Sequence, residues 1–409
     1  MFLSSVRQAL AALFVAVLVS ACGGSGGSAP PPAAGITVTP GDGKVTVTWQ
    51  MDPNVKYWVF YAPAASISST NWINVPGALA VMNVTSPYVA TSLANGYTYS
   101  FTVNGRTGDG PGGPGTPSVS TVPRPAGGTW TALPTLSNNT LRTITYGAST
   151  ADSLNYYFAA GDGGAAYKST DGLTFTAAAS VPNTNVNAAL YALNRFIAVG
   201  PAGVIYTSTD LATWSASSSG TSQNLNALTS NGSFSVIVGD KGTALGSADG
   251  VTWTPITMPT TQNLYGITYS TAGVWIAVGA GGTLLTSSDG ANWTNVSSGT
   301  TADLYATSVQ AVTSYIFVVT GANGTILRST DTGATWTGQV SNTTANLLSV
   351  GSTSSQFLAT GTNGAVVTSP DGITWTKQNS GTSATLNAVI GGLGQYVAVG
   401  QNGTMINSQ

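Results

Sequence analysis

The sequence predicts an all-β chain, a β-sandwich over residues 36–123 followed by a seven-bladed β-propeller over 129–409. Three observations carry that prediction. From Ile36 onward, β-branched and aromatic residues alternate with polar ones at period two, the signature of half-buried strands. Beyond Pro125 a G-x-x-G turn recurs, opening at Gly161, Gly200, Gly239, Gly279, Gly321, Gly361 and Gly400, so the period is 39 to 42 residues. The third is composition. Of 409 residues only 6% are charged, against roughly 25% in an ordinary soluble domain. Short strands joined by Gly, Asn, Ser and Thr turns can present neutral polar groups where other domains present Lys and Glu.

The elements follow in order. Residues 1–21 read as an export signal, with Arg7 as the positive region and Ala9 to Val19 as an uncharged apolar stretch too short for an ordinary membrane span. The stretch closes on Val19-Ser20-Ala21-Cys22, which resembles the lipobox of bacterial lipoproteins. That resemblance implies cleavage before Cys22 and a diacylglycerol on its thiol, hence a membrane attachment through lipid. It also implies placement in the cell envelope, at the outer membrane, because Gly23 rather than Asp follows the cysteine. A plain secretory signal beside an incidental Cys is the alternative. Cys22 is the single cysteine, so an intrachain disulfide is excluded. Residues 22–35 form a Gly/Ser tether passing into a stiffer Pro run.

In 36–123 the strands Val45-Thr46-Val47-Thr48-Trp49 and Tyr57-Trp58-Val59-Phe60-Tyr61 are separated by turn residues, and Leu93 precedes Tyr97-Thr98-Tyr99-Ser100-Phe101. This segment resembles a fibronectin type III domain. The resemblance implies that Trp49 is the core tryptophan, that Tyr99 forms a tyrosine corner, and that the domain acts as a spacer or a weak adhesion module.

Residues 124–128 are a linker, and the propeller follows. Each unit holds about four short strands and cannot cover both faces of its sheet alone, so the units are expected to stack radially. The last unit ends at Met405-Ile406-Asn407-Ser408-Gln409 without its final strand. Gly127-Gly128-Thr129-Trp130-Thr131 looks like that strand, displaced to the start of the domain. A box recurs after each of the first six turns, as in Ser287…Trp293 and Ser329-Thr330-Asp331-Thr332-Gly333-Ala334-Thr335-Trp336. It resembles the Asp box, or BNR repeat, of sialidase-like propellers. Asp171, Asp210, Asp249, Asp289, Asp331 and Asp371 recur once per unit, so they are read as turn formers rather than one converging site. Ser298-Gly299-Thr300, Asp303-Leu304-Tyr305 and Gly321 to Ser329 further resemble the repeat of the Ycf48-like group, seven-bladed assembly factors for photosystem II. That group uses an arginine cluster, whereas Arg142, Arg195 and Arg328 here fall in three different frames of the repeat.

The inventory excludes several function classes. There are thirteen Asp but no Glu and no His, which removes Ser-His-Asp and Cys-His catalysis and an all-protein zinc site. A net charge of −2 supplies no basic surface for nucleic acid. No metal or cofactor is implied. Outside the boxes the propeller has only Asp152, Asp162, Asp240 and Asp303, with no evident facing pair for a glycosidase, so the chain is read as no enzyme. The candidate binding residues come from an L-x-[small] pattern that opens each unit. If the Leu or Val turns into the core, alternation brings the middle residues to the channel mouth. That ring is Arg142, Asn187, Asn226, Tyr265, Tyr305, Leu348 and Asn387. The same residues could simply line a narrow axis. The expected function is non-catalytic binding of an envelope protein or a polysaccharide, for adhesion or scaffolding. The alternatives are a glycan-active hydrolase using Asp residues and a Ycf48-like assembly factor for a membrane complex.

Overall fold

The computed structural model describes residues 28–107, 112–182, 184–311 and 314–409, and its regular elements there are β-strands and short 3-10 segments. The export signal at 1–21 and the lipidation of Cys22 lie outside the described residues. The chain divides into two units after Pro125.

In the first unit, Tyr99–Arg106 lies between Lys56–Ala62 and an edge made of Ser28–Ala29 and Val119–Thr121, and Leu79–Val84 pairs the far side of Lys56–Ala62. A second sheet contains Thr37–Gly41, Lys44–Thr48 and Tyr88–Ala90. Period-two alternation sends Val45 and Val47 of one sheet and Tyr57, Val59, Tyr61, Phe101 and Val103 of the other into one core with Trp49. The intervening Trp58 and Phe60 face the opposite way, under a smaller cluster with Trp72. There the Arg106 guanidinium lies 3.5 Å from the Trp58 ring centroid. The Tyr99 hydroxyl accepts the Ala94 N–H at 3.1 Å. One departure from the sequence expectation concerns the tether. Ser28–Ala29 pairs with Gly105–Arg106, and Ala29 is buried. The small side chain fits there, and the prolines that follow keep the backbone extended as an edge position tolerates.

The second unit holds seven four-stranded antiparallel sheets, here blades 1 to 7, spanning 141–177, 188–217, 225–255, 264–295, 304–339, 347–378 and 386–408. Each innermost strand touches that of the next blade, and the first touches the seventh, so the blades close into a ring. The second strand of each blade explains why isolated blades could not stand. In blade 3, Ile237 packs with Ile197 and Val199 of blade 2, while Val236 and Val238 pack with Trp275 and Ala277 of blade 4. Both faces are apolar, so each needs a neighbour. The G-x-x-G glycines are dictated by close approach. A Cβ on Gly242, whose φ is +69°, would lie 2.0 Å from the Thr260 carbonyl oxygen in the loop to blade 4.

Blade 7 is completed by Thr131–Ala132, which pairs with Ile406 and Asn407. The join copies a box. In blade 4 the Gly290 N–H donates to Ser287 Oγ at 2.9 Å and the Trp293 indole N–H to the Gly290 carbonyl at 3.0 Å. In blade 7 the Gly127 N–H donates to Ser408 Oγ at 2.7 Å and the Trp130 indole N–H to the Gly127 carbonyl at 2.9 Å. The seventh box is therefore split between two distant stretches of chain, and its aspartate position is taken by the buried Ala126. Gln356 of blade 6 donates to the Ala126 carbonyl and holds that stretch in place. Ser408 is 1% exposed, so Ser408→Ala leaves a buried N–H without its acceptor. Urea unfolding should show a loss of about 1–3 kcal/mol, whereas Ser233→Ala on an exposed hairpin should be nearly silent.

Candidate functional site

Antiparallel connectivity gives the ring two distinct faces. The starts of the innermost strands, the G-x-x-G turns and the loops between blades share one, here the mouth face. The first hairpins and the Asp boxes share the other, the box face. All six box aspartates therefore lie opposite the predicted ring.

At the mouth, Leu141, Leu225, Leu264, Leu304, Leu347 and Leu386 are fully buried, and Val186 nearly so. The middle residues reach the mouth by a route that alternation does not describe. In six blades the pairing slips there, as between Leu264 and Gly266, so the middle residue is extruded from the ladder in a β-bulge. In blade 2 the ladder begins at Ala188, opposite Val199, and Asn187 just before it donates its N–H to the Val199 carbonyl at 2.8 Å. The bulge frees a Leu carbonyl, and asparagines from the preceding blade take it up. Asn187 donates to the Leu225 carbonyl at 3.0 Å, Asn226 to Leu264 at 3.0 Å and Asn387 to Leu141 at 2.8 Å. Three of the predicted binding amides thus tie one blade to the next.

The other ring positions divide. Arg142 is exposed and pairs with Asp162 of its own blade at 2.5 Å. Leu348 is half-buried. Tyr265 and Tyr305, from neighbouring blades and both half-buried, form a tilted ring pair with centroids 5.8 Å apart. Burial, then Asp303, then Tyr265 push the Tyr305 phenol up, so it remains a neutral donor at physiological pH.

A second set of side chains completes the mouth, and sequence reasoning passed over it. The residue just before the buried Leu or Val reaches back to the G-x-x-G turn of the preceding blade. Asn185 Oδ1 accepts the Gly163 N–H at 2.8 Å, Asn224 that of Ala202 at 3.2 Å and Asn263 that of Lys241 at 2.9 Å. Asp303 accepts from Gly281 at 2.8 Å and Asn346 from Asn323 at 2.9 Å. The signal was there to find, since Asn or Asp precedes the L-x-[small] pattern in five units. These bonds also occupy the remaining acids. Asp240 accepts from Asn224 at 2.9 Å and Asn226 at 2.8 Å, and Asp152 accepts from the Tyr156 hydroxyl at 2.6 Å.

On the box face each aspartate closes its own turn. Asp249 Oδ1 accepts from Ser247 Oγ at 3.0 Å and from the backbone N–H groups of Val251 and Thr252 at 2.8 and 2.7 Å. The same set recurs around Asp171, Asp210, Asp289 and Asp371. In the longer box, Asp331 accepts the Thr335 N–H at 3.0 Å and its hydroxyl at 2.5 Å. Bonds to the charged form depress these carboxyls. The Thr213 backbone N–H is foremost in holding Asp210 at about 2, and the Thr335 hydroxyl in holding Asp331 at about 2. Thr252 and Asn292 likewise hold Asp249 and Asp289 far below the usual range. For Asp171 and Asp371 burial pushes up, and the same bonds outweigh it. The arginines do not gather. Arg195 and Arg328 lie toward the box face, the latter donating to the Asp371 carbonyl at 2.9 Å, while Arg142 is at the mouth.

No protein-family model and no curated protein matches the sequence. Among solved structures the chain is similar to one described as "YCF48 bound to D1 peptide", at 16% identity and a TM-score of 0.56, over 68% of this chain and 94% of that one. It is also similar to YCF48 from Cyanidioschyzon merolae, at 18% identity and a TM-score of 0.55, over 68% of this chain and 98% of that one. At such identities the likeness shows a shared propeller fold.

The depressed box carboxyls make stability depend on pH. Their folded values lie below the unfolded value of about 4, so their contribution is complete above that value and is lost as pH falls through the folded ones. Melting temperature should be level from neutral pH to about 5 and drop steeply between about 4 and 2. Asp210→Asn should lower the neutral-pH melting temperature by a few degrees and make the acid fall shallower. A melting temperature that rises on acidification would contradict the assignment.

Proposed function

We propose that this protein is a non-catalytic, lipid-anchored envelope protein whose propeller binds a segment of a partner protein at the mouth face, in the manner of an assembly or scaffolding factor. One observation carries the reading. The Tyr265–Tyr305 pair is half-buried at the mouth among side chains already fixed by bonds between blades. Two phenols on a rigid frame built mostly of amides give contact area and hydrogen bonding at small cost in lost freedom, as binding surfaces require. The similar propeller described as bound to a peptide supports a protein segment as the ligand over a polysaccharide. The reading does not rest on an arginine cluster, because the three propeller arginines are divided between the two faces.

A hydrolase reading has little to stand on. The carboxylates of the propeller close turns or latch blades, and the two catalytic carboxyls of a glycosidase would have to face each other across a cleft. The first unit is proposed to be a fibronectin type III-like spacer. Two sheets around Trp49 and the Tyr99 hydroxyl on the Ala94 N–H favour that assignment. Anchoring through acylated Cys22 at the outer membrane is part of the same proposal and rests on the lipobox sequence.

Two experiments test these readings. Surface crosslinking and affinity capture should recover a protein partner with the native chain, and Tyr265→Ala with Tyr305→Ala should reduce capture about tenfold or more while leaving the melting temperature within a few degrees. Undiminished capture by that double variant would overturn the mouth as the site. Labelled palmitate should enter the native chain and not Cys22→Ser, and the variant should leave the membrane fraction; equal labelling would overturn the anchor.

A further inference from the structure

In a repeat protein, the positions where one unit departs from the others are informative, because the fold itself asks the same of every unit. Two features converge on the junction between blades 5 and 6: a lysine that no other blade has at its position, and a loop that departs from those of blades 2, 4 and 6. The residue two after the box aromatic is Ala177, Ala216, Pro255, Asn295, Gly338 and Ala132 in the other blades, but Lys377 in blade 6. The loops leaving blades 2, 4, 5 and 6 read Ser218-Ser219-Gly220-Thr221, Ser297-Ser298-Gly299-Thr300, Val340-Ser341-Asn342-Thr343 and Asn379-Ser380-Gly381-Thr382. Among these four only the third places an apolar residue first and a non-glycine third; the loops leaving blades 1 and 7, Ala178-Ala179-Ser180-Val181 and Pro134-Thr135-Leu136-Ser137, share that pattern with smaller or cyclic first residues.

Each departure has a local consequence. Val340 is 75% exposed, the most exposed large hydrophobic residue among the described residues. Asn342 holds φ +60° where Gly220, Gly299 and Gly381 hold +68° to +72°, and its amide donates to the Trp375 carbonyl of blade 6 at 2.7 Å. That bond fixes the loop of blade 5 onto blade 6. Lys377 is exposed and lines both a cavity of about 770 Å³ and a neighbouring one of about 560 Å³, which share Thr343 and Thr344 as well. Val340 lies in the second of these. Elsewhere in the propeller Arg142 pairs with Asp162, Lys168 lies over the Tyr156 ring and Arg328 donates to a carbonyl. Lys241 is exposed at the turn of blade 3, and Lys377, also exposed, borders a groove of hydroxyls and amides.

We infer that the groove between blades 5 and 6 on the mouth face is a docking site for an extended peptide carrying one carboxylate, seated on Lys377, and one apolar side chain, seated on Val340. The inference deepens the reading of the propeller as a binder of protein segments and rests on it. An ammonium in a neutral groove attracts a single anionic group, and the amide N–H groups of Asn346, Asn363 and Asn379 can donate to the carbonyls of a peptide backbone, the oxygens of Asn346 and Asn379 being held by Asn323 and Gly381. Thr376–Gln378 borders the groove and is the outermost strand of its sheet, with an open edge that an added strand can pair. A sugar is disfavoured because neither cavity is lined by an aromatic ring on which its apolar face would stack.

The test is a selection of random displayed peptides on the immobilised full-length chain, followed by fluorescence anisotropy of the recovered sequences. Recovered peptides should be enriched in Asp or Glu, bind Lys377→Gln about tenfold more weakly or worse, and retain most affinity for Lys377→Arg. Val340→Ser should weaken them by about three- to tenfold, and affinity should fall as salt rises. Lys377 is exposed, so these variants should melt with the native chain. Peptides without acidic enrichment, or with equal affinity for Lys377→Gln, would overturn the groove. Peptides that require Tyr265 and Tyr305 but ignore Lys377 would overturn the groove alone and leave the propeller a peptide binder. A selection empty for every variant would overturn both. Binding of polygalacturonate that depends on Lys377, with no peptide recovered, would also overturn the inference by exchanging a peptide for an acidic sugar.

Discussion

Everything in the propeller depends on the junction between neighbouring blades. A blade is a four-stranded sheet with two apolar faces, so it is stable only when both are covered. The ring covers them at the cost of making every junction necessary. Apolar alternation along the second strand supplies the adhesive, as Ile237 and Val238 show by turning to opposite neighbours. The register is set near the axis by neutral amides, where Asn187, Asn226 and Asn387 take bulge carbonyls. The latches at Asn185, Asn224, Asn263, Asp303 and Asn346 add a second tie at the turns. Hydrogen bonds of this kind keep their geometry without the desolvation cost of buried charge. The low charge of the chain follows: the links that fix blade to blade are mostly amides.

The last junction needs a further device, because blade 7 is assembled from the two ends of the propeller. A split box supplies it. Ser408 takes the role of Ser287, and Gly127 with Trp130 takes the roles of Gly290 and Trp293. The aspartate of the ordinary box has no counterpart there, since the buried Ala126 stands at its position and Gln356 holds that carbonyl from blade 6. A turn that is local in six blades is thereby replaced by a contact across 281 residues, which raises the contact order of the final closing step.

The architecture was legible in the sequence because its determinants are local and repeated. The spacing of Gly161, Gly200 and their successors reports the period, and the short boxes hold donor and acceptor within a few residues. What was not legible depends on neighbours remote in the chain. Nothing in Leu264-Tyr265-Gly266 announces that the pairing slips by one residue, and without the slip the destination of the Asn226 amide cannot be inferred. The edge strand at Ser28–Ala29 escaped notice for the same reason, since a pair of small residues in a Gly/Ser/Pro stretch gains its meaning only from Gly105 and Arg106. At the candidate site the sequence placed seven residues in one ring, and the structure divides them: three amides join blades, Arg142 pairs with Asp162, the two phenols form the ring pair, and Leu348 is half-buried.

The two faces of the ring now have different characters. The box face consists of self-contained turns whose carboxylates are occupied within a few residues. The mouth face combines a rigid amide frame, a phenol pair and, between blades 5 and 6, a groove bordered by Lys377. The central claim is that partners meet the protein at the mouth face, and site-specific photocrosslinking in intact cells tests it most directly. A photoreactive phenylalanine analogue would be placed at Tyr305 in one variant and, in another, at Val251, which is 41% exposed within the box of blade 3. The account predicts a discrete protein adduct from position 305 and none from position 251. An adduct from position 251 alone would contradict it.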